Sequence, residues 1–474
     1  MTLNLAGASP QRPGRELALL ASLAVAALSF AVVQSLVVPA LPAIRHEFGL
    51  SNSETAWVLT ATLLSSAVTT PVLGRLGDSG DRRRLLIATL MALALGILTS
   101  AVAPSYAWLL AGRVLQGLAG AAFPLAFGLI GEHLRAGRAS TGVGVVSSMS
   151  AAGLAIGVLA AAALVDRVGF RATFWLFLIP VLAAIGLVTW TAPKSRRAGG
   201  AGVNWLAALL MCGWLTALLL AVVAVPAEGW LGHRVITWFA VSAGLALVWS
   251  VVETRSPAPL VDLRMLADPV LAGANAVSLL LGFVMYAAFA NLADFGAALG
   301  ATQVDAAPFG SAGFLLPWAV LSFTSGLASG PVVTRFSAPA AVSAGMAATT
   351  LALALLAGVA QPWQIVCCSG LLGLGSGLAT GAVAALVIRA SGPDHSGVAT
   401  AVTTNARLVG GTLGTQVFSS VASMGALDYP TATTPGYRNA FLMVATASAV
   451  ALVVAIATTR SSATARTRRG TPAP

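Results

Sequence analysis

The chain has 474 residues, of which 57% are apolar and only 9% charged, with a formal net charge of +11. That balance excludes an ordinary soluble globular domain. It also argues against nucleic acid as a partner, because the basic residues sit singly or in short clusters between apolar runs and form no basic face.

In chain order, residues 1–16 are polar and carry Arg12 and Arg15. The first apolar run, Leu17 to Leu41, is too long for a signal-peptide core and lacks a small-residue cleavage site, so it is expected to stay as the first span. Further runs follow at 55–76, 85–103, 108–131, 140–163, 172–192, 203–225, 234–252, 270–292, 308–333, 340–360, 363–388, 397–424 and 437–459. Each is close to the roughly 20 helical residues that cross a bilayer core. The expectation is an all-α integral membrane protein of fourteen transmembrane helices. The 49 glycines suit it, since small residues let helix backbones approach where no water drives association.

With both ends in the cytoplasm, only Arg45, Arg167, Arg171, Arg234 and Arg438 face outward. Arg113 and Arg407 lie within spans, and the remaining basic residues fall inside, as the positive-inside rule asks. Trp57, Trp108, Trp175 and Trp363 mark outer ends of spans, and Trp190, Trp205 and Trp249 inner ends. Cys212, Cys367 and Cys368 lie in apolar runs without metal-ligand spacing, so neither a metal site nor a disulfide framework is indicated.

Two pairs of motifs echo each other in order. Gly153 and Gly157 in span five resemble Gly410 and Gly414 in span thirteen, and the charged turn after span two has a pale counterpart at Gly330 to Arg335. If spans seven and eight are extra, two six-helix bundles with a pseudo-twofold repeat remain. The expected units are a segment 1–16, bundles 17–192 and 270–459, two additional helices within 203–252, and a basic tail 460–474.

The turn Gly74-Arg-Leu-Gly77-Asp78-Ser-Gly-Asp81-Arg82-Arg83-Arg84 resembles the loop signature of the major facilitator superfamily. Leu109 to Gly120, with Arg113, Gln116 and Gly117, is similar to that family's fourth-span motif. Asn405 to Gly414 resembles the penultimate span of its fourteen-helix drug/proton antiporter branch. The resemblance implies multidrug or antibiotic-type efflux of small, partly apolar compounds by alternating access, with protons as the candidate exchanged ion. It also implies that the turn latches two bundles on the cytoplasmic side. Gly74, Asp78, Arg82, Arg83, Gly117, Gly153 and Gly157 are the expected gating residues. The departures are Asp81 in place of a usual glycine, Val33-Gln34-Ser35 where an acidic residue is common, and a fifth-span motif without its proline and final glycine.

Intramembrane polar residues are costly unless they face a wet cavity or a partner. Gln34, Arg113, Gln116, Asn291, Asn405 and Arg407 are therefore expected along a substrate pathway. Of the 15 acidic residues none lies convincingly mid-span. Proton coupling would then run through Asp294 or Asp166 at span ends, or through the substrate itself. A neutral or anionic substrate is expected, because no deep carboxylate can pair with a cation. No catalytic residue, P-loop or metalloprotease motif is found, so no enzyme and no cofactor are expected. The expected partners are a small-molecule substrate, the lipid bilayer and protons, with the chain as a monomer in a bacterial inner membrane. The other readings are an importer or facilitator of one metabolite, and a receptor that binds without moving solute.

Overall fold

The computed structural model describes residues 13–50, 52–194, 204–256, 259, 261, 263–299, 313–391, 396–422 and 434–468, nearly all of them helical. The expected polar N-terminus up to residue 12, the linker 195–203 and the last six residues lie outside the described residues. Thirteen helical stretches among the described residues are long and apolar enough to cross a bilayer. In lipid only such a helix satisfies each backbone N–H and C=O within its own segment.

The first run divides into α1 (Pro13–Ser35) and α2 (Val37–Phe48), so the span expected over 17–41 ends earlier. Pro39 and Pro42 follow the break at Leu36, and a proline ring clashes with the carbonyl four residues before it. Next come α3 (Asn52–Ser79), α4 (Arg82–Ala101) and α5 (Tyr106–Gly117). A 3-10 turn over Leu118–Ala121 joins α5 to α6 (Ala122–His133), and together they form one span, Tyr106–His133. α7 (Ala136–Thr191) holds two spans, Thr141–Val165 and Arg167–Thr191. The reversal between them sits at Gly169, whose φ of 78° and ψ of 161° suit a residue without Cβ.

The hairpin α8 (Trp205–Glu228) and α9 (His233–Arg255) precedes a short α10 (Leu263–Leu266). The second half follows as α11 (Pro269–Ala298), α12 (Leu316–Phe336), α13 (Ala338–Ala357), α14 (Pro362–Ser391), α15 (Ser396–Ala422) and α16 (Thr434–Arg468). α15 matches the expected thirteenth run and has 27 residues. It is not among the thirteen apolar stretches, because Thr400, Thr403, Thr404, Asn405 and Arg407 dilute it. α16 runs on to Arg468, into the stretch 460–474 expected as a basic tail.

The buried core divides by half. One cluster joins α1 to α7 and includes Leu23, Phe30, Leu90 and Phe174. Two others lie chiefly among α11 to α16, around Phe295, Phe418 and Phe441 and around Met346 and Val383. A fourth sets Ala207, Met211 and Leu215 of α8 beside Val68 and Val72 of α3 and Val398 and Val409 of α15. Trp108, Trp175, Trp190, Trp205 and Trp363 are exposed, as belts at a lipid–water boundary require. Trp249 departs from this pattern: it is buried against Trp214, with ring centroids 6.0 Å apart.

Small residues set the helix spacing within each half. A Cβ at Gly153 would overlap Ala31 of α1, and one at Gly157 would overlap Ser35. In the second half, a Cβ at Gly410 or Gly414 would overlap the carbonyl oxygens of Leu279 and Phe283 in α11. Both glycine pairs thus close a later helix onto the first helix of its own half.

Gly186 has open space where a Cβ would project. Gly157→Val should therefore cost about 1–3 kcal/mol and lower the thermal unfolding midpoint. Gly186→Val should leave it within experimental error. Thermal scans of the purified protein in detergent read both.

Candidate functional site

Helix α3 continues through Ser79, so the reversal expected over residues 74–84 is made by Gly80 and Asp81 alone. This puts Asp78 in the last turn of α3, with Arg82 one turn on in the first turn of α4. The Asp78 carboxylate accepts hydrogen bonds from Gly397 N–H to Oδ1 (3.1 Å) and from Val398 N–H to Oδ2 (3.0 Å). These donors lie in the first turn of α15, where helix geometry leaves N–H groups without intrahelical acceptors and the helix dipole favours an anion.

Arg82 Nη2 pairs with Asp78 Oδ1 at 2.8 Å. Its Nη1 reaches Gly128 O at 3.3 Å and Glu132 Oε2 at 3.5 Å on α6. Asp78 and Arg82 are both buried. A hydrogen bond to a charged group contributes about 1.5–3 kcal/mol, so this carboxylate is a strong clip between the halves.

Asp81 does a local task. It caps α4 by accepting from Arg84 N–H at 3.2 Å and pairs with the exposed Arg84 side chain at 3.4 Å. Arg83 donates to the carbonyl of Thr189 near the end of α7. Close approach at the clip depends on absent side chains. A Cβ at Gly397 would overlap Asp78 Oδ1, and one at Gly74 would lie 3.0 Å from Gly397 O. At a second seam, α7 meets α12, where a Cβ at Gly144 would lie 2.7 Å from Ser329 Oγ and one at Gly326 would lie 2.6 Å from Ser148 Cβ. Gly397, Val398, Gly128 and Glu132 were not singled out from the sequence. Their only signal there was the position of Gly397 at the start of an apolar run.

Arg113 and Gln116 face helices and not a cavity, which corrects their expected placement in this conformation. Both are 1% exposed. Arg113 Nε donates to Val58 O at 2.9 Å, and its guanidinium also meets Gln116 Oε1. Gln116 Nε2 donates to Gly96 O at 3.0 Å and to Ser100 Oγ at 2.9 Å. Thr62 and Ser65 of α3 donate to the carbonyls of Arg113 and Val114. This polar knot ties α3, α4 and α5, and Gly117 packs into it against Thr62 and Ser65.

The other expected pathway residues divide. Asn291 donates to Ala287 O of its own helix, and Gln34 is half-buried. Neither lines the cleft described next. Asn405 Nδ2 crosses from α15 to Ala67 O of α3 at 2.6 Å. The side chains of Asp166 and Asp294 lie outside the described residues.

Arg407 does reach a cavity. Two adjoining hollows between the halves share Ser147, Ser150, Thr380 and Arg407. One also takes in Phe123, Phe127, Ser278 and Thr403. The other takes in Leu154, Met285, Trp318 and Ser322. Measured to their open mouths they span about 440 and 310 Å³. Their enclosed interiors hold about one water each, so a larger guest needs the helices to part. Arg407 is the one charged side chain among the lining residues. The serines and threonines were overlooked because a hydroxyl in an apolar run also bonds back to its own helix, as Ser148 does to Val145 O.

A family model described as Major Facilitator Superfamily matches residues 23–415. A tetracenomycin C resistance and export protein from Streptomyces glaucescens is 26% identical, over 85% of this chain and 75% of that protein. A uridine/deoxyuridine transporter from Lactococcus lactis is 27% identical, over 77% of this chain and 78% of its own length. The chain spans 61% and 47% of the length of two further curated relatives. In fold, the crystal structure of the human organic anion transporter MFSD10 (TETRAN) superposes with a TM-score of 0.66, covering 92% of this chain and 100% of the other at 15% identity.

The two aspartates of the turn are separable by experiment. Asp78→Asn should raise amide hydrogen exchange in the peptide covering residues 396–405, because the Gly397 and Val398 amides lose a charged acceptor. Asp81→Gly should leave that peptide unchanged, since glycine at an N-cap costs only a few tenths of a kcal/mol.

Proposed function

This chain belongs to the Major Facilitator Superfamily, and from that premise we propose that it is a secondary active exporter of small, partly apolar organic compounds. The observation that carries the proposal is the cleft between the halves, with one seam beside it clipped by Asp78 across to α15. Alternating access needs such a pair: a central cavity, and a contact that holds in one conformation and releases in the other.

In this reading α15 is the thirteenth of fourteen spans, and α8 and α9 are additions between two six-helix bundles. Both termini lie in the cytoplasm of a bacterial inner membrane, and the Asp78 clip is the cytoplasmic gate. Gly74 and Gly397 let the gate close, and Gly153 and Gly157 keep one half rigid as it moves. With no carboxylate among the cleft-lining residues, coupling to protons is assigned to Asp166 or Asp294 or to a titrating substrate. The relative that exports tetracenomycin C supports the outward direction. A second reading, uptake of a metabolite, is favoured by the similarly distant uridine/deoxyuridine transporter.

Solute flux into proteoliposomes under pH gradients of either sign tests the assignment. Uphill movement driven by a proton gradient supports exchange, and no movement of any compound in a broad panel sinks the transporter reading for this chain. In the same assay Asp78→Asn should reduce flux several-fold, while Asp81→Gly stays near wild type. Arg407→Ala should fold and lose flux. Arg113→Ala should instead lose folded protein, because it strands Gln116 and the Val58 carbonyl in a buried site at about 1–3 kcal/mol each.

A further inference from the structure

The cleft offers donors, and its lining contains no acidic acceptor. Arg407 presents a guanidinium, which can only donate. Trp318, at 2% exposure, lines the hollow that also holds Met285 and Ser322, and its Nε1–H, also donor-only, meets no acceptor among the described residues. Ser147 lines both hollows, and its buried hydroxyl likewise has no partner. A buried donor without an acceptor costs about 1–3 kcal/mol, so two of them beside one cavity mark where acceptor atoms of a guest would be rewarded.

The rest of the wall sets hydroxyls, Ser150, Ser278, Ser322, Thr380 and Thr403 among them, beside apolar and aromatic side chains. Phe123 and Phe127 border the hollow that also holds Ser278 and Thr403, with ring centroids 6.3 Å apart. Phe289 leans on the Trp318 ring at 5.2 Å. Aromatic faces attract flat apolar bodies, but they also attract cations, so the wall alone does not select a charge. Arg407 does. A cation entering here would meet a like charge and no carboxylate to offset its lost hydration.

We infer that the cleft is a binding subsite for flat, apolar organic anions, in which Arg407 holds the anionic oxygens and Trp318 Nε1–H and Ser147 Oγ–H supply further hydrogen bonds to oxygen acceptors. The inference rests on the transporter reading above and adds the charge class and the residues that set it. Trp318 and Ser147 are specificity residues on this account. Arg113, the other intramembrane arginine, has no part in it because its donors are taken up by helix contacts.

Equilibrium binding to the full-length protein in lipid nanodiscs, with three probes that share one ring system, decides the matter. The probes are 2-naphthoate, 2-naphthamide and 2-naphthylmethylammonium. The expected order is anion, then neutral amide, then cation, with the anion at least about tenfold tighter than the cation. Arg407→Gln should bring naphthoate down to the level of naphthamide and leave naphthamide unchanged. Trp318→Phe, which keeps a ring and removes the N–H, should weaken both by about three- to tenfold.

Equal binding of cation and anion, no binding of any probe, or an unchanged order in Arg407→Gln overturns the subsite. The charge series on the unmutated protein decides even where a variant misfolds. The two readings fail separately. The binding order without flux of any compound leaves the subsite standing and removes transport, whereas flux with no charge order removes the subsite and leaves transport.

Discussion

In a bilayer the surroundings of a helix are as apolar as the helix itself, so hydrophobic burial gives little reason for two helices to touch. The architecture depends on what replaces it: close backbone approach at small residues. Gly153 and Gly157 seat part of α7 on α1, and Gly410 and Gly414 seat α15 on α11. Where a Cβ would overlap a carbonyl oxygen, helices lie in direct backbone contact, and dispersion over that contact is what lipid cannot match. The seams between the halves use the same device at fewer points, at Gly74 and Gly397 and at Gly144 and Gly326. Fewer such points make a seam easier to open than a bundle. The Asp78 clip then adds directional strength to a contact that would otherwise be weak.

Three arginines show how position decides use. Arg113 is surrounded by carbonyl and amide oxygens and serves as an internal brace. Arg82 is shared between Asp78, Gly128 O and Glu132, so a movement of α15 alters the partner set of one carboxylate and leaves the arginine with others. This lets the clip release without stranding a bare charge, which would cost far more than the clip itself contributes. Arg407 faces a cavity whose lining gives it no carboxylate. The same side chain is thus brace, hinge pin and cavity-lining donor in three settings.

Much of this was legible in the residues. Apolar run length marked the helices, because lipid permits little else, and the exposed tryptophans lie where run ends put them. The asymmetry between Asp78 and Asp81 was readable as an irregular motif, but its partner was not. Gly397 lies 319 positions away, and nothing in local pattern names a distant amide. The fourth-span arginine was misplaced for a related reason: depth in the membrane is readable from spacing, whereas the direction a side chain faces depends on neighbours. The break after Ser35 could have been read from Pro39 and Pro42, whose ring chemistry is local. Ser147 carried no readable signal and Trp318 only its depth within a run, since a hydroxyl or indole there looks the same whether it packs or waits for a ligand.

The added hairpin brings one more constraint. α8 lies against both sides of the clipped seam, touching Val68 and Val72 of α3 and Val398, Val402 and Val409 of α15. Any opening of that seam must part α8 from one of them. The contacts are almost wholly apolar, and among the described residues the one polar tie is the weak Cys212 Sγ–H to Val68 O at 3.8 Å. In water, such a separation would cost the transfer free energy of the exposed surface, about 25 cal/mol per Å². In a bilayer, lipid tails take the place of the departing side chains, and that term nearly vanishes. The hairpin can therefore cover the seam while adding little to the work of opening it, which leaves the seam's own polar ties, the Asp78 carboxylate and the Asn405 amide on Ala67 O, to set when it parts.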